Sequence, residues 1–412
     1  MLRATVSAIW TDVTSECDYP EQMPDEKKQT LASRIVVIDG LRGLLVILVV
    51  LHHGWTLWPT GGIEDTWPVY RWFVAGNFAV SVFFVLGAFL ATRSLLRQAE
   101  AGSLRPSSAL VRRAVRLGGQ MYLLLIVLLI VSVFDETDTY PKAATTDSVL
   151  HAATFTFNWF VQNPLVESRP DIGHLWYLSV DMQVFVVVLA IVWLLRRRAV
   201  WLVVALATLF FLLALWRSQI YHDDGAYRAL LRTAGRADAP IAGALAAALL
   251  PFVKLDQQRA RLLALVAALS LLPLMYVTGD LDYFFGVPGV LVDIAVGSML
   301  IGLSLAPAHP ALTAVFARRP LRFLGRYSLG IYLWHYPVFW FVARHGIEWN
   351  WGVRVVVGFA ITAVMVTIGQ LVAERRVTQI VDSPRWRAMD DGLPAFVIRQ
   401  ARSRWKVGQR SE

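Results

Sequence analysis

The sequence predicts an all-α protein, a polytopic transmembrane helix bundle of about ten spans with both termini in the cytoplasm. Three observations predict it. Of 412 residues, 56% are hydrophobic and only 17% are charged, against about 25% charged in an ordinary soluble domain. Mean hydropathy is +0.52. The apolar residues gather into runs close to the roughly 20 residues that cross ~30 Å of hydrocarbon. These figures exclude a disordered chain, a coiled coil and an ordinary soluble globule.

Ten runs are legible, at 35–57, 73–92, 118–134, 173–195, 200–216, 238–253, 262–278, 289–306, 323–343 and 352–373. Each is expected to be a helix, because a strand edge facing lipid leaves backbone groups unpaired. The first run is no cleaved signal peptide: 34 mostly polar residues precede it, and it contains Asp39 and Arg42. No fixed-period repeat or low-complexity tract interrupts the chain. The expected organisation is a cytoplasmic tail (1–34), a transmembrane domain (35–374) and a basic cytoplasmic tail (375–412). The single cysteine, Cys17, excludes a disulfide framework and a Cys-rich metal site, and no metal is expected.

A net charge of +9 in another context suggests nucleic acid. Here it reads as topology. With the N-terminus inside, 28 of the 39 basic residues fall in cytoplasmic segments and eight in outer loops. The remaining three, Arg42, Arg326 and Arg354, lie within spans. That bias sets a multi-pass orientation in the cell membrane, with the bilayer as partner and no role for nucleic acid. The longest outer loop, 135–172, carries Asp135, Glu136, Asp138 and Asp147. Its short apolar stretch, 155–161, suits the interface.

Ionisable groups inside the spans are costly, so each marks a candidate site. Arg42 and His53 are eleven residues apart, which puts them on one helix face about 16 Å apart along the axis. A guanidinium suits phosphate or carboxylate, and an imidazole suits general-base chemistry near neutral pH. The structural alternative pairs Asp39 with Arg42 and leaves the histidines at the interface. His52 points about 100° away from His53, so one of the two is expected to be structural. Asn77, Ser81 and Gly87-Ala88 read as packing positions. Arg113 and Arg116 share a face at the start of the third span, as positive-inside anchors or as a docking site for a phosphorylated donor. His174 and Asp181 are i, i+7 near the outer entry of the fourth span. There they can orient His53 or activate a substrate hydroxyl, and an interfacial aromatic belt is the plainer reading of Trp176 and Tyr177. In the ninth span Tyr327, Ser328, Tyr332 and His335 supply hydrogen-bonding groups. Pro337 is expected to bend that helix and free a carbonyl. His335 falls in the outer half, where it can share a cavity with His53.

These stretches, in this order, resemble the membrane acyltransferase-3 family over about 35–374. Arg42 and His53 fit its arginine–ten residues–histidine pattern, and Arg113 and Arg116 its Arg-x-x-Arg. The element His174-Leu-Trp-Tyr-Leu-Ser-Val-Asp181 is similar to its His-x-Trp-Ser-Leu-x-x-Glu. The stretch from Leu324 to His335 resembles its ninth-span signature. There are departures. Leu86 stands where the family usually has Ser, Tyr177 replaces a common Ser, and Asp181 replaces Glu with one methylene less reach. Glu374-Arg375-Arg376 only approximates a common ending. With 38 residues after 374, the esterase-like domain fused to some members is expected to be absent.

The resemblance implies O-acyl transfer from acyl-CoA, most often acetyl-CoA, to a sugar hydroxyl of an envelope glycan, glycolipid or secreted metabolite. It implies that Arg42, Arg113 and Arg116 hold the CoA phosphates. His53 would act as base or carry the acyl group, and Asp181 would polarise His53 or the acceptor. His174, Trp176, Ser328, Tyr332 and His335 are the expected acceptor-binding groups. A transporter or flippase for a glycolipid or small polar solute also accommodates charges within spans. Against it, the sequence shows no matched half-repeats with paired broken spans.

Overall fold

A computed structural model describes residues 25–58, 70–163 and 166–381. These are all helical, with no strand among them. The ten long elements are α1 (Asp25–Leu57), α2 (Gly76–Glu100), α3 (Pro106–Phe134), α4 (Trp176–Leu195), α5 (Ala199–Leu231), α6 (Asp238–Leu249), α7 (Gln257–Val277), α8 (Val287–Leu305), α9 (Ser328–His345) and α10 (Trp351–Gly369). They match the ten apolar runs in order.

Eight helices among the described residues are long and apolar enough to cross a membrane. The two runs outside that set are α6 and α9. The 238–253 run is helical only as α6, twelve residues or about 18 Å, so it does not span alone. The 323–343 run breaks at Tyr327 into a short helix, Arg319–Arg326, and α9. In α9 the aromatic, histidine and arginine residues dilute the aliphatic content. Apolar count alone hid both departures, because neither half-helix length nor a break changes hydropathy.

Other bounds also moved. The 200–216 run continues as α5 to Leu231, with a break at Gly225, whose φ of +80° suits glycine. Residues 25–34, expected in the cytoplasmic tail, already belong to α1, so the boundary at 35 marks a change of polarity and not of structure. The rest of both tails, 1–24 and 382–412, lies outside the described residues.

Close helix approach fixes the register of α1. A Cβ on Gly43 would lie 1.9 Å from the Leu321 carbonyl oxygen, and one on Gly325 would lie 1.7 Å from that of Asp39. The backbones of α1 and Arg319–Arg326 therefore touch, which only glycine permits. This contact also sets the path by which the chain enters α9. One large apolar core joins α1, α2, α4, α6 and α8. The lipid-facing sides of α5, α7 and α10 carry exposed Val, Leu, Ile and Phe.

The loop 135–172, expected on the outer side, folds as a short helix, Lys142–Ala153, then Phe157–Phe160 and a 3-10 turn, Pro170–Leu175. Arg169 holds it. The guanidinium is fully buried. Its Nε and Nη2 donate to Asp171 (3.0 and 2.6 Å), while Nη1 and Nη2 donate to Asp138 (3.2 and 2.7 Å). Nη1 also donates to Thr145 Oγ1 (3.1 Å). All five guanidinium hydrogens are thus used. Arg344, near the end of α9, adds ion pairs to Asp135 and Asp171 at 3.4 and 3.6 Å. Together they tie the loop to the C-terminal end of α9.

Candidate active site

His53 stands in the last turns of α1, and α9 brings His335 against it. His53 Nδ1 lies 2.7 Å from His335 Nε2. His335 Nδ1 donates to the Ile331 carbonyl of its own helix at 2.8 Å. A carbonyl can only accept, so the network assigns each tautomer in turn. His335 carries its proton on Nδ1 and accepts at Nε2. His53 then carries its proton on Nδ1, and its Nε2 is left as an acceptor.

His174 completes the cluster through the expected effect of proline. Pro337 has no N–H, so the Leu333 carbonyl four residues earlier loses its helical donor. His174 Nε2 donates to that carbonyl at 3.1 Å. Its Nδ1 is buried and has no hydrogen-bond partner among the described residues. Tyr332 Oη donates to the His174 carbonyl. Tyr336 packs against both His53 and His174, with ring centroids 4.5 and 5.1 Å away. The sequence reading did not single out Tyr336, although it directly follows His335. His52 donates from Nδ1 to the Phe73 carbonyl at 3.0 Å and is the structural member of the pair.

Asp181 does not meet His53. It is ion-paired to Arg113, with Nη2 to Oδ2 2.6 Å, and the group that orients His53 is His335. The i, i+7 argument assumed one helix through both His174 and Asp181. His174 instead lies in the 3-10 turn before α4 begins, so the two are not on one helical face. Arg113 and Arg116 also separate. The Arg113 guanidinium packs over Phe185, 4.9 Å from the ring centre, whereas Arg116 is exposed.

Arg42 lies on α1 with its guanidinium making no hydrogen bond or ion pair among the described residues. Tyr177 meets Tyr332 edge-on at 5.3 Å, and Tyr332 meets His174 at 5.2 Å. Two tyrosines therefore lead from the start of α4 to the histidine cluster. Ser328 is buried at the first residue of α9, about 10 Å along the axis from His335, and stands apart from the cluster. Trp176 also turns away from the histidines, toward Phe84 and the Arg236 guanidinium.

A family model described as an acyltransferase domain, acyltransferase-3, matches residues 35–371. The chain belongs to that acyltransferase family. Peptidoglycan O-acetyltransferase OatA of Listeria monocytogenes is 28% identical over 335 residues, 76% of this chain and 51% of the relative. A candidate peptidoglycan O-acetyltransferase of Bacillus subtilis, YrhL, is 26% identical over 324 residues, 73% of this chain and 48% of its own length. The chain thus spans about half the length of the curated relatives it matches. No solved structure matches. With its eight long apolar helices and its bacterial O-acetyltransferase relatives, it is a multi-pass plasma-membrane protein.

A second buried charge cluster was missed by the sequence reading. Arg217 of α5 donates to Asp238 at the start of α6 and to the Phe284 carbonyl, and lies 3.6 Å from Asp293 of α8. Arg236 is beside them, and all four residues are at most 2% exposed. The signal was present: Asp293 is a carboxylate within an apolar run, the criterion applied to Asp181.

Proposed function

We propose that this protein is an integral membrane O-acyltransferase that moves an acyl group, acetyl in the simplest case, from acyl-CoA to a sugar hydroxyl of a cell-wall glycan. The observation that carries the reading is the histidine relay, in which His335 holds the His53 tautomer with Nε2 free to accept. The names of the relatives support an O-acetyl product and a peptidoglycan-type acceptor.

In this reading the Arg42 end of the bundle faces the cytosol, following the bias of basic residues. Arg42 and Arg113 hold the CoA phosphates there. The pantetheine arm carries the thioester the roughly 16 Å along α1 to His53. His53 Nε2 takes the proton of the acceptor hydroxyl, and the oxygen attacks the thioester carbonyl. The C–S bond breaks, and the thiolate takes the proton back from His53. His335 stabilises the imidazolium through its Nε2. Asp181 positions Arg113 and does not touch the reacting atoms.

The test is purified protein in vesicles with radiolabelled acetyl-CoA inside and a glycan acceptor outside. Label is expected on the acceptor with the native protein and not with His53→Ala. Full turnover by His53→Ala would sink the reading. Labelled glycolipid instead of glycan would change the acceptor, and solute movement without acetyl-CoA consumption would favour a transporter.

A further inference from the structure

A cleft of about 280 Å³ lies between α1, the junction of Arg319–Arg326 with α9, and α10. The histidine relay does not use it. Its walls are apolar, with Val46 and Val50 of α1 on one side, Phe323 and Ile331 on another and Val366 of α10 on the third. On α10 the lining recurs every three or four residues from Phe359 to Leu371, which is one continuous helix face.

One end of the cleft is charged. Arg375 lines it, and among the described residues its guanidinium makes no ion pair. A π turn, Gln370–Glu374, puts Arg375 there. Its N–H donates to the Gln370 carbonyl five residues back. In an α-helix five residues run about 140° beyond a full turn, so Arg375 would point well away from Gln370. The wider π turn brings both toward the cleft. Such turns are rare and gather at functional sites. The adjacent carboxylate is turned elsewhere. Glu374 accepts from Nε2 of the buried Gln120 on α3, which also donates to Gln370 Oε1 at 3.1 Å.

The dimensions narrow the occupant. Phe359 and Arg375 are about 24 Å apart along the helix. One leaflet, half of a bilayer with its headgroups, is about 20–22 Å thick. At the end away from Arg375, Phe359 packs on Phe339, with ring centroids 5.9 Å apart. An apolar trough one leaflet long, with a cation at one end, fits the shape and charge of a single anionic phospholipid. The bias of basic residues puts the Arg375 end at the cytosolic surface, where a basic side chain attracts anionic headgroups.

We propose that this cleft holds one anionic phospholipid of the inner leaflet. An acyl chain lies along α10, and the Arg375 guanidinium donates hydrogen bonds to the phosphate. The site stands independently of the acyl-transfer reading.

The test is native mass spectrometry of the whole chain released from vesicles of equal parts phosphatidylcholine and phosphatidylglycerol. Arg375→Glu, Ala363→Trp and Arg376→Glu are compared with native protein. Ala363 is exposed and lines the cleft, so tryptophan there obstructs the path of the chain. Arg376 is exposed beside Arg375 but does not line the cleft, and controls for overall charge. Native protein and Arg376→Glu should each retain one phosphatidylglycerol. Arg375→Glu should retain at least about fivefold less, the worth of one basic residue at that surface. Ala363→Trp should also retain less, although Arg375 is intact. Equal retention by the two arginine variants would overturn the proposal, as would native protein that keeps phosphatidylcholine as readily as phosphatidylglycerol. Tighter retention of added palmitoyl-CoA, lost in Arg375→Glu and Ala363→Trp, would make the cleft a donor-chain site and overturn it too. Melting temperatures taken without phosphatidylglycerol show which variants fold. If Ala363→Trp does not, the two arginine variants decide.

Discussion

The Nδ1 of His53 and the Nε2 of His335 are 2.7 Å apart, with the two rings inclined by only 18°. The contact joins residues 282 positions apart in the chain. Because His335 is anchored to the Ile331 carbonyl, it can only accept from His53. His335→Gln removes that control of tautomer and the support for the imidazolium. We expect kcat to fall about 100-fold with KM for acetyl-CoA little changed. Steady-state kinetics in vesicles checks it, and an unchanged kcat would show the contact to be structural.

Pro337 makes an unusual prediction, a loss of activity without a loss of stability. Pro337→Ala supplies an N–H to the Leu333 carbonyl and competes with His174 for it. The helix gains a bond, since a proline in a helix interior costs about 3 kcal/mol relative to alanine. The melting temperature should hold or rise while kcat falls. If both fall together, His174 is not being released.

Arg42 and Asp181 separate donor binding from chemistry. Arg42→Ala should raise KM for acetyl-CoA and leave the pH profile of kcat unchanged. Asp181→Asn keeps an acceptor for Arg113 but removes its charge, and should raise donor KM more mildly. A shifted pH profile in Asp181→Asn would instead link the carboxylate to proton transfer at His53.

Arg169 tests the loop clamp. Replacing it with alanine strands Asp138 and Asp171 without their guanidinium. The expected cost is about 3–5 kcal/mol, read as a large fall in melting temperature in detergent. A fall no larger than that of an exposed-site variant such as Arg116→Ala would show that the network carries little stability.

Asp135 gives the clamp a pH dependence. Partial burial raises its pKa. The Thr137 hydroxyl and backbone N–H, with the neighbouring His345 and the Arg344 guanidinium, outweigh that and hold it below the usual 3.8. A depressed carboxylate stabilises the fold above its unfolded value and loses that contribution as pH falls through the folded value. Native protein should therefore melt higher than Asp135→Asn at neutral pH. The two curves should converge below about pH 3.8; a constant gap between them would exclude the carboxylate as the cause.

The membrane class, the ten helices in order and the Arg42–His53 spacing on one helix were legible in the sequence. Each depends only on local hydropathy or on the rise of a single continuous helix. Even the carbonyl released by Pro337 was foreseeable from the missing N–H. The helix breaks were not. Tyr327 splits the ninth run and α6 stops after twelve residues, and composition does not register either event. Which polar groups meet was decided only by tertiary structure. Asp181 went to Arg113 because the turn before α4 breaks its alignment with His174, and His335 took its expected place beside His53. Arg217, Arg236, Asp238 and Asp293 come from three segments that share no sequence pattern. Burial in a low-dielectric core makes such charges find partners, and only the packing of α5, α6 and α8 shows which partners those are.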